Sequence, residues 1–286
     1  MVPGIYVMAI VTLVASVALW GGLVHRLSGR QGRYLWLLLP GLPLSAIANL
    51  GIKGPLARLV AGAAGITPTS DQRLPVWFLA FLFLLAPLFE EALKALPLVV
   101  PGIRAMARHR SAAFWSGIAL GVSFGLGEAA YIAYGVAQSP QYARYPWYAF
   151  TGFFLERTLT CLAHGVFTAV MVMGLQRERS RAWIGYLLAV GLHALLNVGA
   201  ALLQFRILAP EWAQLYTFAA FIAVILLFIS LRVLVTREGV PPGWTHPTEH
   251  VGAAHFRVTH PRALLSLPPG QSAYASPRSA SWARWR

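Results

Sequence analysis

The sequence predicts an all-α polytopic membrane protein: about seven transmembrane helices with a polar cluster in the bundle interior. Three observations predict it. Of 286 residues, 57% are hydrophobic and 11% charged, and the mean hydropathy is +0.62, too apolar for an ordinary soluble domain. Apolar runs of bilayer-crossing length recur along the first 235 residues. The basic residues sit in short clusters between those runs. The net charge of +14 is therefore read as membrane topology, with the lipid bilayer as partner and no nucleic acid.

The runs fall at about 3–25, 34–52, 74–101, 112–135, 148–175, 182–205 and 212–235. The first lacks a charged n-region and a small-residue cleavage site, so it reads as a retained span. The second is the weakest, interrupted by Pro40 and Pro43. The segment 53–73 reads as a connection able to hold a short interfacial helix. With the N-terminus outside, sixteen of the 23 Lys and Arg residues fall on the cytoplasmic side, three of its loops carrying three arginines each. Five fall on the other side (Lys53, Arg58, Arg73, Arg144 and Arg206), and Lys94 and Arg157 stay within spans.

Residues 1–235 thus form the membrane domain, with the polar groups concentrated in a core at 74–200. Residues 236–286 read as a basic cytoplasmic tail, disordered or lying on the membrane surface, with Trp282 and Trp285 as anchors. Its four histidines read as solvated residues rather than metal ligands. Cys161 is the single cysteine, so neither an intrachain disulfide nor a CxxC metal site can form.

Charged side chains near a bilayer centre cost roughly 2.5–3.5 kcal/mol each on insertion scales, so those inside spans call for a function. The third span carries Glu90, Glu91 and Lys94, spaced so that either acid can meet the lysine on a helix. Pro87 and Pro97 flank them, each removing a backbone donor. A self-neutralising ion pair accounts for one acid and leaves the other over. The fourth span has Gly117, Gly121 and Gly125 in one i,i+4 stripe, with Glu128 on that close-packed face. The fifth holds Arg157, a candidate for snorkelling beside Glu156, and His164 seven residues on. The sixth has His193 and Asn197 above Gly185 and Ala189 in one row. Each group alone suits a structural hydrogen bond between helices. Four successive spans with a polar face at similar depth suit a shared site.

Hydrolysis of a peptide bond needs a base, an oxyanion stabiliser and a proton donor for the leaving amine. The glutamate pair, titrating as a unit, can supply base and donor. His164, His193 and Asn197 can orient water or hold the oxyanion. The same histidines with a carboxylate can instead ligate zinc, which needs three protein ligands and an open position. Other proteolytic chemistries fit poorly. There is no HExxH, and Asp71 is the only aspartate, which excludes a two-aspartate mechanism. Gly121-Val122-Ser123-Phe124-Gly125 matches GxSxG, yet a nucleophile elbow needs a strand–turn–helix and this match lies inside a span.

Glu90-Glu91-x-x-Lys94, Phe124-x3-Glu128, His164 following Arg157, and His193-x3-Asn197 resemble, in order, the four motifs of the PrsW intramembrane proteases. These are relatives of the CAAX prenyl endopeptidase and bacteriocin-processing superfamily. The prenyl endopeptidases have EExxxR and FxxxH; the lysine spacing and Glu128 favour PrsW. The resemblance covers about 74–200. The chain departs from it at Ala129, where Asn is frequent, and at Thr160-Cys161-Leu162-Ala163, where a proline often precedes the histidine.

The resemblance implies a bacterial plasma-membrane protease cutting membrane-anchored proteins, including anti-sigma factors. It leaves open a zinc mechanism or one with no cofactor. It implies Glu90 or Glu91 as base, Glu90 preferred, and Lys94 as the residue that tunes the pair. Glu128, His164 and His193 position water or metal, and Asn197 serves the oxyanion. Two other functions compete. Intramembrane acids and histidines also build proton or ion transporters, though no internal repeat is evident. A non-catalytic membrane scaffold is the third.

Overall fold

The structure is a computed structural model that describes residues 3–66, 74–175 and 182–237. Asp71, Arg73, the arginines of 176–181 and the tail from 238 onward, with its histidines and tryptophans, lie outside the described residues.

Seven helical segments are long and apolar enough to cross a membrane: α1 Gly4–Leu27, α2 Gly32–Ala63, α3 Val76–Val99, α4 Arg110–Ala137, α5 Trp147–Leu175, α6 Ala182–Gln204 and α7 Pro210–Thr236. No strand occurs among the described residues. The protein is an all-α polytopic membrane protein, as its sequence predicts.

The centre of the bundle is the α4–α5 pair. Every residue from 113 to 127 on α4 and from 160 to 169 on α5 is buried. The glycine stripe makes this contact. A Cβ at Gly121 would run into the His164 carbonyl, one at Gly117 into the Ala169 backbone, and one at Gly125 would lie 2.8 Å from the Cys161 Cα. Without side chains on that face, the two backbones approach and His164 is brought onto α4.

The other helices pack around this pair. On α1, Trp20 donates from Nε1 to the Thr158 carbonyl at 2.8 Å. The α5–α6 crossing is made at Gly174 and Gly185, where a Cβ on either would lie within 3 Å of the other's Cα. Phe228 of α7 packs on Phe114 and Trp115 of α4. Large apolar side chains such as Ile10, Leu59, Trp77, Leu187 and Ile222 face outward, which in water would be a liability and in lipid is the required surface.

In α2 and α3 prolines break the regular helix; α1 also holds a π stretch, Val17–Gly21, with no proline in it, and α5 opens on a 3₁₀ stretch, Trp147–Phe150. In α2 a 3₁₀ stretch, Gly32–Leu38, gives way at Pro40 and Gly41 to Leu42–Ala46, a π stretch Ile47–Lys53, and a last α segment Gly54–Ala63. Pro55 has no N–H, and its ring crowds the carbonyl four residues back, at Gly51; the turn before it is wound wider. The second span therefore runs on to Ala63 instead of stopping near residue 52. Within 53–73 the described residues hold a helix, Gly54–Ala63, continuous with the second span, and Lys53 lies within the bundle rather than in an outer loop. In α3 the regular helix ends at Lys94, because Pro97 cannot continue it, and a 3₁₀ stretch Leu96–Val99 follows.

Candidate active site

The end of the regular part of α3 sets the site. Glu90, Glu91 and Lys94 are all buried there, on the side of α3 that meets α2, α5 and α6. Lys94 Nζ lies 2.6 Å from Glu91 Oε1 and 2.7 Å from His164 Nδ1. It also sits 4.6 Å from the centre of the Phe124 ring, a cation–π contact that uses the aromatic residue of the Phe124-x3-Glu128 motif. Glu90 takes its cation from another helix: Lys53 of α2 bonds to Oε1.

On α4, Glu128 reaches across the glycine stripe to α5. Its Oε2 is 3.1 Å from Arg157 Nη1 and 3.1 Å from His164 Nε2. Arg157, read from sequence as a snorkelling residue, pairs with Glu128 on one side and with half-exposed Glu156 on the other. On α6, His193 Nδ1 lies 2.7 Å from Glu91 Oε1, and Nε2 lies 3.9 Å from Glu90 Oε2. The His164 and His193 rings meet edge-on at 5.1 Å, with Phe124 against the first and Phe167 stacked on the second.

The hydrogen-bond partners fix the histidine tautomers. An ammonium only donates, so His164 Nδ1 is the acceptor towards Lys94 and Nε2 carries the proton towards Glu128. A carboxylate only accepts, so His193 Nδ1 carries the proton towards Glu91, and Nε2 faces Glu90 without a hydrogen bond. Three carboxylates are thus matched by three cations: Glu90 by Lys53, Glu91 by Lys94 and Glu128 by Arg157. Burying a charge without such a partner would cost several kcal/mol.

Two acceptors are left over. Among the described residues, Glu90 Oε2 and Glu91 Oε2 are buried with no hydrogen-bond partner. Glu90, His164 and His193 each offer one ligand atom, all within 4.8 Å of one another and all buried. A divalent metal fits this donor set once Lys94 gives way: Glu90 Oε2 and His193 Nε2 are free of hydrogen bonds, and His164, its Nε2 held by Glu128, would turn to the metal the Nδ1 lone pair that here accepts from Lys94. The carboxylate that joins the histidines at this distance is Glu90, while Glu128 binds His164 directly.

Of the residues singled out in the sequence, Glu90, Glu91, Lys94, Glu128, His164 and His193 come together in one bonded network. Asn197, one turn from His193, is half-buried and forms no hydrogen bond among the described residues. Ser123 is not a nucleophile in this arrangement. Its hydroxyl donates to the Leu38 carbonyl at 2.7 Å and accepts from the Gly41 N–H at 2.9 Å, stitching α4 to the break in α2. The residue missed from sequence is Lys53. The signal that pointed to it was the acid left over once Lys94 had been assigned to one glutamate.

A family model described as PrsW family intramembrane metalloprotease matches residues 34–229. No curated protein and no solved structure matches the chain. The matched stretch is more than half of the chain, runs from α2 into α7, and contains every residue of the network above. The chain belongs to the PrsW family and is an intramembrane protease.

Proposed function

We propose that this protease is an endopeptidase that hydrolyses peptide bonds of membrane-anchored proteins, using water activated by the glutamate–histidine cluster. One observation carries the reading. Two buried carboxylate oxygens stand without hydrogen bonds beside the His193 ring. Leaving a buried acceptor unsatisfied costs about 1–3 kcal/mol, more when charged, and a site that retains two of them is built for something that arrives from outside.

Glu90, His164 and His193 are the residues that would hold zinc. Held there, zinc would supply Lewis-acid activation of water and of the scissile carbonyl. The remaining chemistry belongs to the chain. With Glu90 turned to the histidines, the free carboxylate oxygen is Glu91 Oε2, which moves the base from Glu90, preferred from sequence, to Glu91. Glu91 takes a proton from water as its oxygen bonds to the carbonyl carbon. It returns that proton to the amine nitrogen as the C–N bond breaks. Lys94 holds Glu91 in place. Glu128 orients the His164 ring, and Asn197, with no hydrogen bond among the described residues, serves as donor to the oxyanion. By family, anti-sigma factors anchored by a single span in a bacterial plasma membrane are the substrate class to test first. The chain is oriented with its N-terminus outside and its C-terminus in the cytoplasm.

The test uses purified full-length protein, a single-span substrate, and zinc measured by elemental analysis. The expected result is about one zinc per chain, with cleavage lost on chelation and restored on adding zinc back. Glu90→Gln, Glu91→Gln, His164→Ala and His193→Ala should each abolish cleavage while the protein still inserts. Full turnover in both glutamate variants would end this mechanism. Cleavage by metal-free protein would leave the glutamate pair acting on water alone.

A further inference from the structure

We propose that Lys53 is the positioning residue for Glu90: it fixes the carboxylate through Oε1 so that Oε2 faces His193. This rests on the metal-site reading above and extends it to α2, a helix with none of the four motifs.

The network has a regular pattern. Each group that would touch the metal is held on its far side by a partner. His164 is held by Glu128 through Nε2, with Lys94 on the Nδ1 that the metal would take, and His193 is held by Glu91 through Nδ1. Glu90 is held by Lys53 through Oε1. Partners of this kind orient the ligands they hold, and their loss typically costs about 10- to 100-fold in metal affinity. Lys53 completes the set.

Simple charge neutralisation does not account for it. Lys94 stands four residues after Glu90 on the same helix and is spaced to pair with it, yet Lys94 bonds to Glu91 and His164. A second cation is brought from another span instead. The backbone that brings it is irregular: Lys53 closes the π stretch of α2 and is followed by Gly54 and Pro55. The space at Gly54 is occupied by the Asn49 carbonyl, 2.9 Å from where a Cβ would stand. The bond is also one-sided. Lys53 takes Oε1 and leaves Oε2 buried and unbonded, 3.9 Å from His193 Nε2.

The experiment is zinc affinity of the full-length protein, measured against a competing chelator without substrate, for wild type, Lys53→Met and Lys53→Arg. Thermal unfolding of the metal-free forms runs alongside. The expected result is zinc binding weakened about 10- to 100-fold in Lys53→Met and recovered in Lys53→Arg, which keeps a donor and a positive charge. kcat should fall with affinity while KM for a single-span substrate holds. Affinity unchanged or tightened in Lys53→Met, or no recovery by Lys53→Arg in a protein that unfolds like wild type, overturns the inference alone. A wild type that takes up no zinc overturns the metal reading and the inference with it.

Discussion

Lys94 makes more contacts with the site than any single acid does, although its charge alone would suggest a counter-ion. Its side chain is fully buried, as is that of Glu91, whereas the Arg157–Glu128 pair is about 15% exposed on each side. Removing one partner of a buried pair costs about 3–5 kcal/mol, because the other charge remains without compensation. Water can reach Glu128 and repay part of that cost. Lys94→Met should therefore lower the thermal unfolding temperature in detergent clearly more than Arg157→Met. Equal shifts would mean that burial does not set the strength of these pairs. The sequence made the acids and histidines legible, because charge inside an apolar run stands out against its insertion cost. It did not make their partners legible. Lys53 stands next to Gly54-Pro55, which reads as the end of a helix, and its partner is on another span; Arg157 beside Glu156 reads as a polar helix end. Pairing across spans is a property of the packed bundle, and spacing along one helix does not report it.

At the scale of the element, the glycine stripe decides where His164 stands. Gly117, Gly121 and Gly125 are readable as a close-contact face, and the structure puts the α5 backbone against it. A valine at Gly121 would drive its Cβ into the His164 carbonyl, a backbone atom that cannot rotate away. Overpacking of this kind costs about 1–3 kcal/mol, and more where backbone is met. Gly121→Val should destabilise the fold and displace His164, so that zinc binding and cleavage fall together. Gly135→Val, further along α4 with nothing within 4 Å of its Cβ position, is the control and should retain both. Retained activity in Gly121→Val would show that the α4–α5 approach does not position the histidine. Periodicity predicted α4 and α5 well because their whole length obeys one rule. It predicted α2 poorly because Pro40, Pro43 and Pro55 divide that span into 3₁₀, α and π pieces.

For the whole molecule, the distribution of arginines predicts which end faces the cytoplasm. The α3–α4 connection and the first residue of α4 carry Arg104, Arg108 and Arg110, whereas the α4–α5 connection carries Arg144 alone. Cys161 is buried, so the native protein offers little thiol background. A cysteine introduced at His109 should be shielded from an impermeant thiol reagent in intact cells, and one at Gln141 should be labelled. The reverse pattern would invert the orientation. Seven spans were countable because a bilayer imposes one length on each, but the order in which they surround α4 and α5 was not. The helix with the glutamate pair, α3, lies at the periphery, with much less of its length buried than α4 or α5. Bonds to Lys53, His164 and His193 hold it to three different helices.

The wide turns of α2 have a further consequence. An α-helix advances about 100° per residue, and a π turn takes up an extra residue without lengthening the helix to match. Leu44 and Ala48, before the wide stretch closes, pack against Phe124, while Lys53 at its end faces Glu90. The number of residues between those two contacts sets the angle between them. Phase, rather than hydropathy, decides whether the ammonium on α2 arrives in front of the acid on α3, and residue count in this stretch is thus part of what defines the site.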